Sequence, residues 1–123
     1  MSFSSANIAN DMDNAIARML TAIEDKAALS GVDVANMLDT NVATVSRWRN
    51  GKAFPQARYE ELLLQLEYVV EQLSDIYTPI QARLWLFKPQ KLLNGEAPAR
   101  LLAQGKYREV LAVLKQIRDD VYL

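Results

Sequence analysis

The side chains that could do chemistry here are few in kind. The 123 residues contain neither cysteine nor histidine, which removes thiolate nucleophiles, disulfides, thiolate and imidazole metal sites and the commonest general base. The carboxylate pairs are poorly placed for catalysis: Glu60-Glu61 and Asp119-Asp120 are sequence neighbours, and neighbours on a helix point about 100° apart. Glu67 and Glu71 share a face as i and i+4, but no glycine-rich phosphate loop accompanies them, and a solvated face accounts for both. Nothing in the spacing sets Ser46 or Ser74 beside a lysine as a Ser-Lys nucleophile. The reading is no enzyme, no cofactor and no metal. Binding chemistry remains: between Asn41 and Arg58 stand Arg47, Arg49, Lys52 and Arg58 without an acid, in a chain whose net charge is −1. Phosphate is the natural partner of such a stretch.

The elements that must position these cations are helices. Ser30 reads as an N-cap with Asp33 three residues on, close to a capping box, and Leu29 can staple onto Val34. Asp39-Thr40-Asn41 makes a short turn, Asn41 caps a second helix through Arg49, and Asn50-Gly51 stops it. At 100° per residue, Val45 and Trp48 share the inner side of that second helix, while Ala43, Ser46 and Arg47 face out, with Val42 and Thr44 on the flanks. A small, polar outer face suits a helix lying in a major groove. The bland alternative is a helical hairpin inside an ordinary bundle with a solvated basic run.

Before this unit, Ser2 to Met12 reads as a loosely docked start, and Ile16, Met19, Leu20, Ile23 and Ala27 form one apolar stripe on a helix from about Asp13 to Leu29. After it, Gln56 opens what should be the longest helix, running to about Tyr77. Its apolar positions make two seams: Tyr59, Leu62, Leu66, Val69, Leu73 and Ile76, then Leu63, Val70 and Tyr77. Two seams imply a helix covered on both sides, by the C-terminal half or by a second subunit. Thr78-Pro79-Ile80-Gln81 starts another helix, which Lys88-Pro89 breaks; a turn to Leu93 ends at Asn94-Gly95, Pro98 opens a short helix closed by Gly105, and a last helix buries Tyr107, Val110, Leu111, Leu114, Ile117 and Val121. No stretch alternates like a strand.

Half of the residues are hydrophobic and 24% are charged, so the chain is globular. The signs come in blocks: two basic and six acidic groups over residues 1–40, four and none over 41–58, none and five over 59–76, eight and four over 77–123. Met1 to Asn10 lacks the pattern of a secretory signal and no apolar run approaches the ~20 residues that span a bilayer; a cytoplasmic protein with no membrane association is expected.

Thr44-Val45-Ser46-Arg47-Trp48 followed by Asn50-Gly51 resembles the helix-turn-helix of Xre/Cro-type repressors, with Asp39 at the usual turn glycine and Arg49 where that group often has an acid. The resemblance implies that Val42, Ala43, Ser46 and Arg47 approach bases and that Asn41, Thr44 and Lys52 approach phosphates. Further on, Ala82 to Phe87, Pro89, Leu92-Leu93, Gly95, Pro98, Leu101-Leu102, Gly105, Val110 and Leu114 resemble the toxin-binding domain of Xre/MbcA/ParS-type antitoxins. Together the two cover the chain from about Ala15 to Leu123.

That family resemblance implies an all-α protein in three parts: a helix-turn-helix bundle over 13–55, a connecting or dimerising helix over 56–77, and a small helical toxin-binding domain over 78–123. It implies an antitoxin that binds and occludes a RES-domain toxin, an enzyme that destroys NAD, and that represses its own operon by binding operator DNA. A homodimer is expected from the second seam of the long helix and from the two-fold symmetry of a palindromic operator, the alternative being the central core helix of a monomer. Trp85, Phe87, Pro89, Leu92 and Gly95 are assigned to the small domain's core and turns. Toxin contacts are expected on the last helix and tail, from Gln104, Lys106, Tyr107, Arg108, Lys115 and Arg118, with Arg118 to Leu123 reaching into the nucleotide cleft. There Asp119, Asp120 and the terminal carboxylate would mimic a pyrophosphate while Val121, Tyr122 and Leu123 fill apolar space; the alternative is that the two aspartates only end the helix. Two other functions stay open: a stand-alone dimeric repressor with a different partner, and a pure inhibitor whose helix-turn-helix is scaffolding, since Val42 and Ala43 can meet only a thymine methyl.

Overall fold

A computed structural model describes residues 5–122, with side chains from Ala15 to Val121. The described residues are all-α: α1 (Ser5–Ala27), α2 (Gly31–Met37), α3 (Val42–Arg49), α4 (Ala57–Ser74), α5 (Pro79–Phe87), a 3₁₀ turn (Lys91–Leu93), α6 (Pro98–Ala103) and α7 (Tyr107–Tyr122). One isolated antiparallel bridge, Gln90 to Glu96, closes the loop around the 3₁₀ turn. Among the described residues there is no sheet.

The helix ends follow from local chemistry. Ser30 and Asp33 form a full capping box: the Asp33 amide donates to Ser30 Oγ at 3.1 Å and the Ser30 amide to Asp33 Oδ2 at 2.8 Å. Asn41 Oδ1 accepts from the Thr44 amide at 2.8 Å to start α3, and Thr78 with Gln81 makes a second capping box ahead of Pro79. Four helices end in Schellman-type turns with a left-handed residue. Gly51 (φ 70°) and Gly105 (φ 76°) are suited to that conformation; Ala28 (φ 51°) and Asp39 (φ 57°) carry side chains there. At Ala28 the closing bond runs from the Leu29 amide to the Glu24 carbonyl at 3.1 Å, and at Asp39 from the Thr40 amide to the Ala35 carbonyl at 2.9 Å. Asp39 thus performs the turn for which the repressor pattern uses glycine.

Two expectations on helix extent are corrected. The backbone is helical from Ser5, well before Asp13, because no glycine or proline interrupts the chain up to Ala27; Ser2 to Ser4 lie outside the described residues. α1, with 23 residues, is therefore the longest helix, and α4 has 18. α4 also stops at Ser74, short of Tyr77: Ser74 Oγ donates back to the Glu71 carbonyl at 2.7 Å, and the amides of Ile76 and Tyr77 both turn onto the Leu73 carbonyl.

α4 is the centre of the core. It packs on α1 on one side and on α5, α6 and α7 on the other. Leu63, Leu66, Val69, Val70 and Leu73 are buried, with Tyr59, Leu62 and Tyr77 packed at the edge. The buried part of both seams packs on this chain's own helices, while Tyr59, Leu62, Ile76 and Tyr77 at their edges stay half-buried. Leu20, Ile23 and Ala27 of α1, Val45 and Trp48 of α3, and Val110 and Leu114 of α7 join the same core, with residues of α2, α5 and α6, each fully buried Leu, Ile or Val contributing about 1.5 to 3 kcal/mol. Val121, assigned to α7's buried stripe, is instead exposed, because the last turn runs past the elements α7 packs on.

Candidate functional site

The outer face of α3 is built as its sequence periodicity predicts. Val45 and Trp48 are buried, Trp48 stacking obliquely on Tyr59 with ring centres 5.5 Å apart. Asn41, Val42, Ala43, Ser46, Arg47 and Lys52 are exposed, and Thr44 is half-buried. A hydrogen-bonded chain runs along this face: Arg47 Nη2 donates to Thr44 Oγ1 at 2.9 Å, and Thr44 Oγ1 donates to Asn41 Oδ1 at 3.0 Å. The Thr44 hydroxyl is thus engaged on both sides and props the guanidinium of Arg47 toward the start of the helix.

The basic block is less positive than its sequence. Arg49 pairs with Glu24 of α1, and Arg58 lies over the Tyr59 ring, 5.0 Å from its centre. Arg47 and Lys52 remain as exposed cations without an ion pair among the described residues.

Lys106, just before α7, and Arg108 and Lys115 on it are exposed, while Tyr107 is half-buried against the core. Arg118 is tied down: its Nη2 lies 3.3 Å from Asp75 Oδ2 in the α4–α5 connection. Asp119, Asp120 and Val121 are exposed at the end of the helix; the Tyr122 side chain and Leu123, expected at the toxin, lie outside the described residues. Beside Arg118 a cleft of about 300 Å³ runs between α4 and α7, lined by Tyr68, Gln72, Leu111, Lys115 and Asp119.

α5 departs most from expectation. Trp85 enters the core, Gly95 takes the left-handed turn (φ 81°), and Pro89 and Leu92 sit exposed in the loop and 3₁₀ turn after α5, but Phe87, assigned with them to core and turns, is exposed on α5 itself. A nine-residue helix with apolar residues on two faces can bury only one of them here: Ala82, Trp85 and Leu86 go in, and Ile80, Leu84 and Phe87 stay out.

Arg83, which sequence reasoning used only as part of a pattern, joins α5 to the start of α2. Its Nη1 donates to the Ala28 carbonyl at 3.0 Å and to Asp33, and its guanidinium covers the Phe87 ring at 5.0 Å. Burial pushes the Asp33 carboxyl up, but the hydrogen bonds from Arg83 and Ser30 outweigh it, and the net pKa falls below 3.8. The Asp33 hydrogen bond raises Arg83 in turn. The capping carboxylate is also the anchor for the second half.

Among the described residues no group of three acids, histidines or cysteines could hold a metal ion, and no helix is long and apolar enough to cross a membrane. Glu71, half of the only i, i+4 carboxylate pair weighed for catalysis, binds Lys26 of α1 at 2.6 Å, a structural role.

No protein-family model matches the chain. It is similar to the mycobacterial cidal antitoxin MbcA of Mycobacterium tuberculosis, 29% identical over 110 residues that cover 89% of this chain and 97% of the relative, and to the same extent to MbcA of Mycobacterium bovis. A probable mycobacterial cidal antitoxin of M. tuberculosis is 36% identical over 92 residues, 75% of this chain and 78% of the relative. Among solved structures, a chain of the M. tuberculosis MbcT–MbcA toxin-antitoxin complex superposes with a TM-score of 0.78 at 29% identity, covering 89% of this chain and 99% of that one.

Proposed function

The chain belongs to the MbcA-type family of mycobacterial cidal antitoxins, and from that premise we propose that it neutralises a RES-domain, NAD-degrading toxin by binding it and occluding its active site, and that it represses its own operon. The observation that carries the toxin half is the likeness along nearly the full length of a chain crystallised in a toxin-antitoxin complex. In this reading residues 78–123 form the toxin-binding part. Lys106, Tyr107, Arg108 and Lys115 border the contact, and the segment from Arg118 to Leu123 enters the cleft. A pocket for a pyrophosphate is cationic, and Asp119 and Asp120 bring negative charge to it on an exposed helix end. Arg118, held by Asp75, sets where that end points.

For operator binding, residues 13–55 act as the helix-turn-helix, with α3 as the recognition helix. Its support is the outward face of Val42, Ala43, Ser46 and Arg47 above a buried Val45 and Trp48. Asn41, Thr44 and Lys52 flank the groove at phosphates, and Thr44 also props Arg47. Residues 56–77 connect the parts, and a second copy of the chain would supply the second recognition helix for a palindromic operator. Operator and NAD both place the activity in the cytoplasm.

Co-expression with the protein encoded beside it tests the reading. That neighbour alone should deplete cellular NAD and arrest growth, and this chain should restore both. A harmless neighbour, or NAD loss unaffected by the chain, leaves the repressor with a different partner as the surviving account.

A further inference from the structure

Of the two arginines on α3, one reaches out and one reaches back. Arg47 is exposed and leans on Thr44, whereas Arg49 turns to Glu24 of α1, its Nη2 on the Glu24 Oε1, with side chains 37% and 20% exposed. Both ends of this pair are fixed by their surroundings. Glu24 follows the buried Ile23, and its carbonyl accepts the Leu29 amide at 3.1 Å in the turn that closes α1; Arg49 follows the buried Trp48. The pair also stands at the edge of the face assigned to DNA. At 100° per residue Arg49 falls about 20° from Val42 around α3. A methyl group at Gly31 would lie 3.6 Å from Val42 Cγ2 and 4.0 Å from Glu24 Oε1, so the carboxylate sits beside that same flank. Lys52, exposed and without an ion pair among the described residues, follows three residues after Arg49.

We propose that Glu24 sets how strongly α3 is drawn to the DNA backbone, by holding Arg49 off the phosphates. The inference rests on the operator reading above, and in it Glu24 is a positioning residue that acts through Arg49. Unpaired, a guanidinium on the Val42 flank would meet a phosphate as a charge-assisted donor, beside Lys52. Paired, it adds no net charge to the face, and a half-buried pair is screened by salt less than a phosphate contact in solvent. The consequence is a division of labour between the two arginines. Phosphate contacts raise affinity for every sequence alike, whereas base contacts separate one sequence from another. With Arg49 held back, the attraction common to all DNA falls and the base-reading share carried by Arg47 rises. The local positive block then works below the charge that its sequence carries.

Fluorescence anisotropy of the full chain with a random-sequence duplex, followed as salt rises from about 50 to 200 mM, tests this. Glu24→Gln should bind tighter than the wild type at the low end. Its log K against log salt should be steeper by about 0.9, the value of one added phosphate contact, so that it loses about three-fold more affinity across that range. Arg49→Met alone should leave the slope unchanged, and Glu24→Gln combined with Arg49→Met should return it to the wild-type value. Glu24→Ala, which suits a helix, is a second route to the same free guanidinium if the glutamine variant does not fold. A pair that only joins α1 to α3 would lower the denaturation midpoint of each variant and leave every slope alone, which overturns the proposal. So does a shallower slope for Arg49→Met, because Arg49 would then already meet phosphate. A double variant that keeps the steeper slope overturns it too, by tracing the gain to lost repulsion from Glu24. A wild type that binds operator and random sequence equally removes the operator reading and leaves the role of Glu24; one that binds neither removes both.

Discussion

In the proposed operator complex the sequence-reading role falls to Arg47, because Val42 and Ala43 offer no hydrogen bond to a base edge and Ser46 offers only a short one. Its guanidinium is exposed and propped by Thr44 in the chain on its own. Arg47→Ala should lower affinity for the cognate operator by about 1 to 3 kcal/mol and relax the preference at one base pair. Lys52→Ala should weaken operator and scrambled DNA alike and reduce the salt slope by about 1. Fluorescence anisotropy with both DNAs separates the two, and an equal loss on both for Arg47→Ala contradicts its assignment. Arg83 acts through Asp33. Because the Asp33 pKa is lowered on folding, the pair's contribution is fully present above the carboxyl's ordinary value of 3.8 and is lost as pH falls through the lowered one. Arg83→Met should therefore cost about 1 kcal/mol or less near neutrality, the range of a part-exposed pair, and the gap between wild type and variant in urea denaturation should close in acid. An undiminished gap in acid would assign the loss to packing on Phe87 instead. Neither Arg83 with Asp33, 50 residues apart, nor Arg49 with Glu24, 25 apart, was legible in the sequence, since periodicity and spacing report neighbours along one helix and not partners across the fold.

At the scale of elements, helix ends were the most readable features. Ser30, Asn41, Thr78, Gly51 and Gly105 stand where capping chemistry needs them, because a cap is decided by residues three or four apart. Ala28, like Asp39 and Asn94, fills a left-handed position with a residue that carries a side chain, and unlike them it is neither Asp nor Asn. Ala28→Gly should stabilise the fold by about 1 kcal/mol, seen as a higher denaturation midpoint at an unchanged slope; a lower midpoint would mean that the methyl group packs. Burial was less readable for α5, where nine residues are apolar on two sides and the pattern cannot tell which side meets the core. For α7 the pattern located the helix and its inner face, and the α4–α5 connection then fixes Arg118. Deleting residues 119–123 should leave the melting temperature within a few degrees and abolish or sharply weaken neutralisation in a toxin NAD-loss assay. Full neutralisation by the truncated chain would move the inhibitory contact off the tail.

For the whole molecule, the proposed functional parts are not separate bodies. α5 packs on α1, α6 touches α2, and α4 lies between the two halves. Toxin and operator would therefore meet one connected core, with Arg83 bridging Asp33, at the start of the helix pair that ends in α3, and Phe87 on the exposed side of α5. The charge blocks visible along the sequence reappear as surfaces in part: the acidic block around α4 loses Glu71 to Lys26 and Asp75 to Arg118, and the positive block of α3 loses Arg49 to Glu24. Inhibition of an NAD-degrading toxin is tested by NAD consumption by the purified neighbouring toxin, titrated with this chain. The rate should fall in proportion to added chain and reach background near a fixed stoichiometric ratio. A rate that stays unchanged in excess chain, with the toxin active and the chain folded, would contradict it.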